Sequence, residues 1–370
     1  EPDVWAKTDK VLTLAGYLTR RLVGHFVDSV ACQVGFFPFD YKRLKWPTFY
    51  NWRCDAMGIS LKQLPTLVKP GQQLGCLTET AAKLTGLPEG IPLFASAGDK
   101  ACEVLGSGCM QSDIACLSYG TTATINTTAT SYFEPIPLLP SYPAAIPDMY
   151  TTEVSIYRGY WMVSWFKREF GLAELQRSEA EGGTPERLFE ELLTSTPPGA
   201  DGLVLQPYWS PGIRIPGPEA RGAMIGFNDV HTRAHMYRAM LEGIAFGLRE
   251  GRDRIQNKSG VAVRSLRISG GGAQSDAACQ LTADIFNLPT IRPHTTETSG
   301  LGAAINVAIG LGHYESYARA LNAMTRPGET FTPNATHVRT YDGIYKEVYA
   351  PMYSRLQPLY RGLSKLLRRH

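Results

Sequence analysis

The sequence has no CxxC pair: its seven cysteines stand at 32, 54, 76, 102, 109, 116 and 279, an odd and scattered set. That excludes a zinc knuckle and gives no disulfide framework, so the thiols are expected to be buried and reduced. No apolar run reaches the roughly 20 residues that span a bilayer, and the start of the chain lacks the basic, apolar and small-residue order of a signal peptide. A cytoplasmic protein with no membrane partner is the expectation, and the sequons at Asn126 and Asn334 carry no weight without a secretion signal. Charge of one sign is also scarce. The 37 Lys and Arg against 34 Asp and Glu leave a formal net charge of +3, and scattered cations speak against a nucleic-acid partner. No HExxH accompanies His231 and His235, so no metal site is read there. GxGxxG spacing is missing too, which argues against a Rossmann dehydrogenase. Nor is there an initial methionine: the chain opens Glu1-Pro2-Asp3, and we expect it to start within a longer protein.

What is present is ordinary globular composition, 44% hydrophobic and 19% charged over 370 residues, a length sufficient for two domains. Residues 8–22 set Val11, Leu12, Ala15, Leu18 and Leu22 at helical spacing behind Thr8 and Asp9, which predicts a core-facing helix. From 35 to 75 the text is rich in Pro, Trp and Tyr, and loops with short helices are expected. A strand over 91–96 leads to a turn at Gly98-Asp99-Lys100 and a helix over 101–105. A strand at 114–117 runs through Gly120-Thr121-Thr122 into a β-branched stretch at 123–128, the pattern of a hairpin with a Gly-Thr tip. Five prolines in 135–147 exclude helix and central strand. Residues 161–170 read as a short aromatic helix and 233–257 as a long one, with Gly243 and Gly247 allowing close approach to a neighbour. A strand at 265–269, a triple glycine, a helix at 275–286, a strand near 290–292 and a helix from Gly300 follow. Strands alternating with helices predict an α/β fold.

Three places could carry chemistry. Gly270-Gly271-Gly272-Ala273 stands between a strand and a helix whose free N–H groups and positive end suit a nucleotide; a Cβ there would hold an adenine ring or a phosphate off the backbone. Alone, such a loop is equally a plain tight turn. The Gly120-Thr121-Thr122 tip offers backbone N–H groups and hydroxyls to phosphate oxygens, or is an ordinary hairpin turn. Asp99 is a carboxylate on a strand-to-helix turn, suited either to accepting a hydroxyl proton in phosphoryl transfer or to capping a helix. Trp161, Trp165, Tyr208 and Trp209 could stack on sugar rings or fill a core.

In their order these elements resemble the FGGY carbohydrate kinases, xylulokinase-like members of the actin-like ATPase superfamily. The similarity runs through the opening EPDVWAKTDKVLTLAGYLTRRLVG with Asp28-Ser29 after it, FASAGDKACEVLGSG, LSYGTTATI, the long stretch from YWSPGIRIPGPEARGAMIGF, LRISGGGAQSDAACQLTADIFNLPTIRP, and ETSGLGAAINVAIGLG. The resemblance implies an α/β, ribonuclease-H-like two-domain sugar kinase fold closing over a cleft, with ATP and Mg²⁺ on one side and a sugar on the other. It makes Asp99 the catalytic base, with Asp28 and Asp99 toward the substrate. Gly120, Thr121 and Thr122 become the second phosphate loop and Gly271, Gly272, Ala273 and Gln274 the adenosine pocket, with Glu297 and Gly300 nearby. Metal ligands stay unassigned.

One family motif, the first phosphate motif of the GxDxGTxSxR kind, occurs nowhere in these residues. The first domain is therefore expected to be incomplete, its missing piece truncated or supplied by another chain. Residues 1–110 would be the remainder of the sugar-side N-terminal domain and 111–370 the nucleotide-side C-terminal domain. Lys100 follows Asp99 where many members carry a small or amide residue, which bears on substrate choice. The expected reaction is ATP-dependent phosphorylation of a ketose such as a pentulose, or of a polyol, by a protein expected to form a homodimer. The alternative is a non-catalytic actin-like nucleotide-binding regulator.

Overall fold

The structure, a computed structural model, describes residues 1–36, 38–48, 51–182 and 184–367. Its main sheet grows from the expected hairpin: Ile114–Tyr119 and Ala123–Ala129 pair antiparallel, from Ala115 opposite Thr127 to Tyr119 opposite Ala123. Tyr150–Ile156 extends this side antiparallel, and the two-residue Tyr142–Pro143 forms its edge, where a proline is tolerated. On the other side of Ile114–Tyr119 come Ser265–Ser269 and then Thr290–Pro293, both parallel, with Pro327–Phe331 antiparallel at the far edge. Each parallel strand is followed by a helix, Asp276–Phe286 and Thr298–Gly310. This is the mixed α/β arrangement the alternation predicts.

The long helix Arg233–Ser259 packs on the sheet. Thr232 and His235 form a capping box at its start, and Gly260, at φ 72°, ends it. A Cβ on Gly243 would lie 2.4 Å from Leu205 O and one on Gly247 2.7 Å from Ile156 Cδ1, so the close approach read from these glycines is used. Leu117, Ile125, Ile244, Leu248 and Ile268 fill the space between helix and sheet with no exposed surface.

Some expectations are corrected. The first amphipathic helix is Leu14–Val23, and Val11 and Leu12 lie outside it. Its inward face is Gly16, Thr19 and Val23, while Leu18 is 52% exposed. The reason is steric: Gly16 abuts the Asp28 carboxylate, with a Cβ position only 2.9 Å from Asp28 Oδ2, so the inward face is turned to the one position that carries no side chain. Cys76 is exposed rather than buried, at the end of Gln73–Cys76, although all seven thiols are free. The strand Tyr150–Ile156 and the helices Ala335–Ile344 and Ala350–Leu367 were not read from the sequence. Among the described residues no helix is long and apolar enough to cross a membrane.

Candidate active site

Pro92–Phe94 ends in the turn expected at Gly98-Asp99-Lys100, and the helix that follows is Asp99–Gly106. The helix cap is Gly98 and not the aspartate, so Asp99 is not spent on capping. Its carboxylate is exposed and accepts one backbone hydrogen bond, from Lys100 N at 2.7 Å to Oδ1. The turn is held from behind, Gly98 N donating to Ala31 O at 2.9 Å and Ser29 Oγ to Ser96 O. Asp28 sits under this turn with 1% exposure. Both its oxygens are engaged, Oδ1 by Ser29 N at 2.7 Å and Oδ2 by Thr13 Oγ1 and Gln33 Nε2, each at 2.8 Å. Burial pushes its carboxyl above the ordinary carboxylate range, against the pull of those three donors.

Across the sheet end, the Gly120 tip is braced by the segment that leads into the helix Trp161–Phe170. Tyr160 N donates to Gly120 O at 3.0 Å, Trp161 N to Thr121 O at 3.3 Å, and Thr122 Oγ1 to Tyr157 O at 3.2 Å. The Thr122 hydroxyl is thus committed to a carbonyl, whereas Thr121 Oγ1 makes no hydrogen bond among the described residues. In the triple glycine, Gly270 has φ 86° and its absent Cβ would lie 2.9 Å from Tyr119 O; glycine is required here twice over. Gly272 faces the Tyr160 ring, 2.2 Å from a Cβ position to Cε1, and Tyr160 stacks on Tyr119 with centroids 4.5 Å apart. A cavity of about 670 Å³ opens between these parts, lined by Gly120, Thr121, Tyr160, Trp161, Gly271, Gly272 and Gln274 among others. Its size suits a drug-sized ligand.

The structure therefore brings Gly120, Thr121, Gly271, Gly272 and Gln274 to one cavity. Ala273 lies buried beside it, its carbonyl accepting from Arg292 at 3.1 Å. Glu297 and Gly300 are elsewhere: the start of Thr298–Gly310 meets the Asp99 turn, where Ser299 Oγ donates to Asp99 O at 3.2 Å. The helix after the glycines does not offer a free positive end, because Ser275 caps Ala278 N and Glu190 Oε1 accepts from Ala277 N at 3.0 Å. The glycine cradle, rather than the dipole, shapes this corner. Of the aromatic candidates, Trp161 lines the cavity with the Arg158 guanidinium 4.8 Å from its ring centroid. Trp165 and Trp209 pack on each other edge-to-face at 5.5 Å against the core, and Tyr208 is buried. His231 and His235 serve local bonds, the latter to Asp201 Oδ2 at 3.1 Å. Sequence reasoning missed Tyr160 and Glu190; the Gly159-Tyr160 step after a β-branched run was the available signal for the first, and Glu190 gave none.

The model of the FGGY family of carbohydrate kinases, N-terminal domain, matches residues 1–106, and the model of its C-terminal domain matches 115–311. The uncharacterized sugar kinase YgcE of Escherichia coli (strain K12) is 34% identical over 342 residues, covering 92% of this chain and 68% of that protein. Xylulose kinase of Bacillus subtilis (strain 168) is 30% identical over 377 residues, covering 98% and 70%. The crystal structure of xylulose kinase from Rhodospirillum rubrum superposes with a TM-score of 0.83 at 26% identity, over 98% of this chain and 70% of that one.

Proposed function

Since this chain belongs to the FGGY family of carbohydrate kinases, ATP-dependent phosphotransferases of actin-like fold that act on sugar hydroxyls, we propose that its acceptor is a ketose of the pentulose type, or a polyol, and that Asp99 is the general base. The observation that carries this reading is the Asp99 turn: an exposed carboxylate, not used as a cap, on a turn held from behind by hydrogen bonds to Ala31 and Ser96. In the proposed reaction Asp99 takes the proton of the attacking sugar hydroxyl while that oxygen bonds to the γ-phosphorus and ADP leaves in line. Relatives named as xylulose kinases support the pentulose.

The residues present fit ATP: the glycine loop leaves a flat wall opposite Tyr160 and the cavity reaches the Gly120 tip. Gly271, Gly272, Ala273 and Gln274 would hold adenosine, and Gly120 with Thr121 the phosphates, Thr122 bracing the tip. Among the described residues no group of three or more His, Cys, Asp and Glu could hold a cation, so Mg²⁺ would arrive on the phosphate oxygens and neutralise their charge. Asp28, buried and fully hydrogen-bonded, would act on the sugar side only by fixing Ser29, whose hydroxyl bonds Ser96 O ahead of the Asp99 turn, and Glu297 and Gly300 border the base. Residues 1–110 form the sugar-side unit and 111–370 the nucleotide-side unit.

The test is ADP release from ATP against a panel of ketoses, aldoses and polyols, with Asp99→Asn as control. Acceptor-dependent turnover is expected, and the substitution should lower kcat by about 10²–10⁴-fold while leaving ADP affinity nearly intact. An active Asp99→Asn protein would sink the base assignment. ATP binding without turnover on any acceptor would point to the regulator instead.

A further inference from the structure

We propose that Lys100 is a positioning residue that ties the base-bearing end of the helix Asp99–Gly106 to both nucleotide loops at once; this rests on Asp99 being the base. The far end of that helix is fixed by packing, since Cβ positions on Gly106 and Gly302 would lie 1.9 Å from Thr298 O and 2.0 Å from Cys102 O. The near end, where Asp99 is exposed, is held only by single hydrogen bonds, Ser299 Oγ to Asp99 O at 3.2 Å and Gly98 N to Ala31 O at 2.9 Å, and by no glycine-to-backbone contact of that kind. Lys100 adds a charged tie to the sheet. Its Nζ lies 2.6 Å from Glu103 Oε2 and donates to Ser118 Oγ at 2.5 Å, and Glu103 Oε1 accepts from Ser269 Oγ at 2.5 Å.

Ser118 and Ser269 are direct partners in the parallel ladder. Both lie where a strand runs out into a loop: Ser269 is the last residue of its strand and adjoins Gly270, and Ser118 is the last but one of its own, with only Tyr119 before Gly120. An ion pair spanning two neighbouring strand ends cannot follow one loop without losing its bond to the other, so base and loops move as one body. Exposed pairs contribute little, but Glu103 is only 7% exposed, and charge-assisted bonds at that depth are short and directional. Placement matters because an error of about 1 Å at a reacting group costs on the order of 10²-fold in rate.

Two variants separate this role from mere stabilisation. Ser118→Ala deletes one hydroxyl and leaves the pair whole; Lys100→Met combined with Glu103→Gln removes both charges, so position 103 is not left as an unpaired carboxylate, and Glu153 loses one attracting and one repelling neighbour together. Each is measured for kcat, KM for ATP and Tm, with hydrogen exchange of amides 99–106 followed with and without ADP. We expect Ser118→Ala to lower kcat about 5- to 10-fold and the double variant about 10- to 100-fold, with KM for ATP within about 2-fold. ADP should protect amides 99–106 in the wild type and not in the double variant. Unchanged kcat in both, with the loss confined to Tm, overturns the proposal. Asp99→Asn in the same series keeps the two claims apart. If it turns over normally, the base assignment and the coupling both fall; if it is inactive beside two fully active coupling variants, the coupling alone falls.

Discussion

At the scale of single residues, Gly272 and Glu153 make the sharpest statements. Any side chain at Gly272 meets the Tyr160 ring, which must then swing into the cavity. Gly272→Ala is expected to add about 1–3 kcal/mol of overpacking, roughly 5- to 150-fold in the ADP Kd. In a Tyr160→Ala background the same methyl should change Kd by less than about 2-fold, a coupling that calorimetric titration of the four proteins reads directly. The sequence pointed to this glycine through its openness to adenine, but the tyrosine opposite was hidden, because a contact between 160 and 272 leaves no local trace. Glu153 has its carboxyl pushed above the ordinary 4.5 by burial, with the Ser155 hydroxyl and Lys100 pulling down and Asp99 and Glu103 pushing further up. A raised folded-state value means that its contribution to stability is present below about 4.5 and lost as pH rises through the folded value. Glu153→Gln, which cannot ionise, should therefore gain in Tm over the wild type as pH goes from about 4 to 8, and parallel Tm profiles would refute the assignment.

At the scale of elements, the contact between Asp99–Gly106 and Thr298–Gly310 is set by two facing glycines. Gly106→Ala should gain about 1 kcal/mol in helix propensity yet lose about 3 kcal/mol to the clash with Thr298 O, for a net loss of about 2 kcal/mol in chemical denaturation. Gly300→Ala, in the same helix pair but with open space around it, should be neutral or slightly stabilising. Elements with local punctuation were legible. The strand Ser265–Ser269 and the helix Trp161–Phe170 fall where periodicity and flanking glycine put them. Tyr150–Ile156 escaped because it is mostly buried on both faces while carrying Thr, Glu and Ser, so no alternation marks it. Ala350–Leu367 escaped because Pro351 and Pro358 read as breakers, yet Pro358 lies inside the helix. The face of Leu14–Val23 was misread because the Asp28 carboxylate that selects Gly16 is distant from the usual apolar rule.

At the scale of the whole molecule, the order of the motifs along the chain carried the family, while the assembly of the site depends on which strands become neighbours. The Gly120 tip and the glycine loop meet because Ile114–Tyr119 sits at the centre of the sheet with the hairpin on one side and Ser265–Ser269 on the other, and Lys100 Nζ reaches Ser118 from the helix that carries Asp99. That adjacency has a price in time. Ser269 pairs with Ser118 across 151 residues of chain, a closure that costs about 4 kcal/mol of entropy before any contact offsets it. The hairpin half can form early from near neighbours, but the corner we propose for the nucleotide exists only after the distant strand has docked. During refolding from denaturant, far-UV circular dichroism should thus recover ahead of ADP binding, and simultaneous recovery would refute this order. A chain still emerging from the ribosome would own its Gly120 tip long before the triple glycine could dock beside it, so the pocket proposed for the nucleotide becomes whole as the last act of folding.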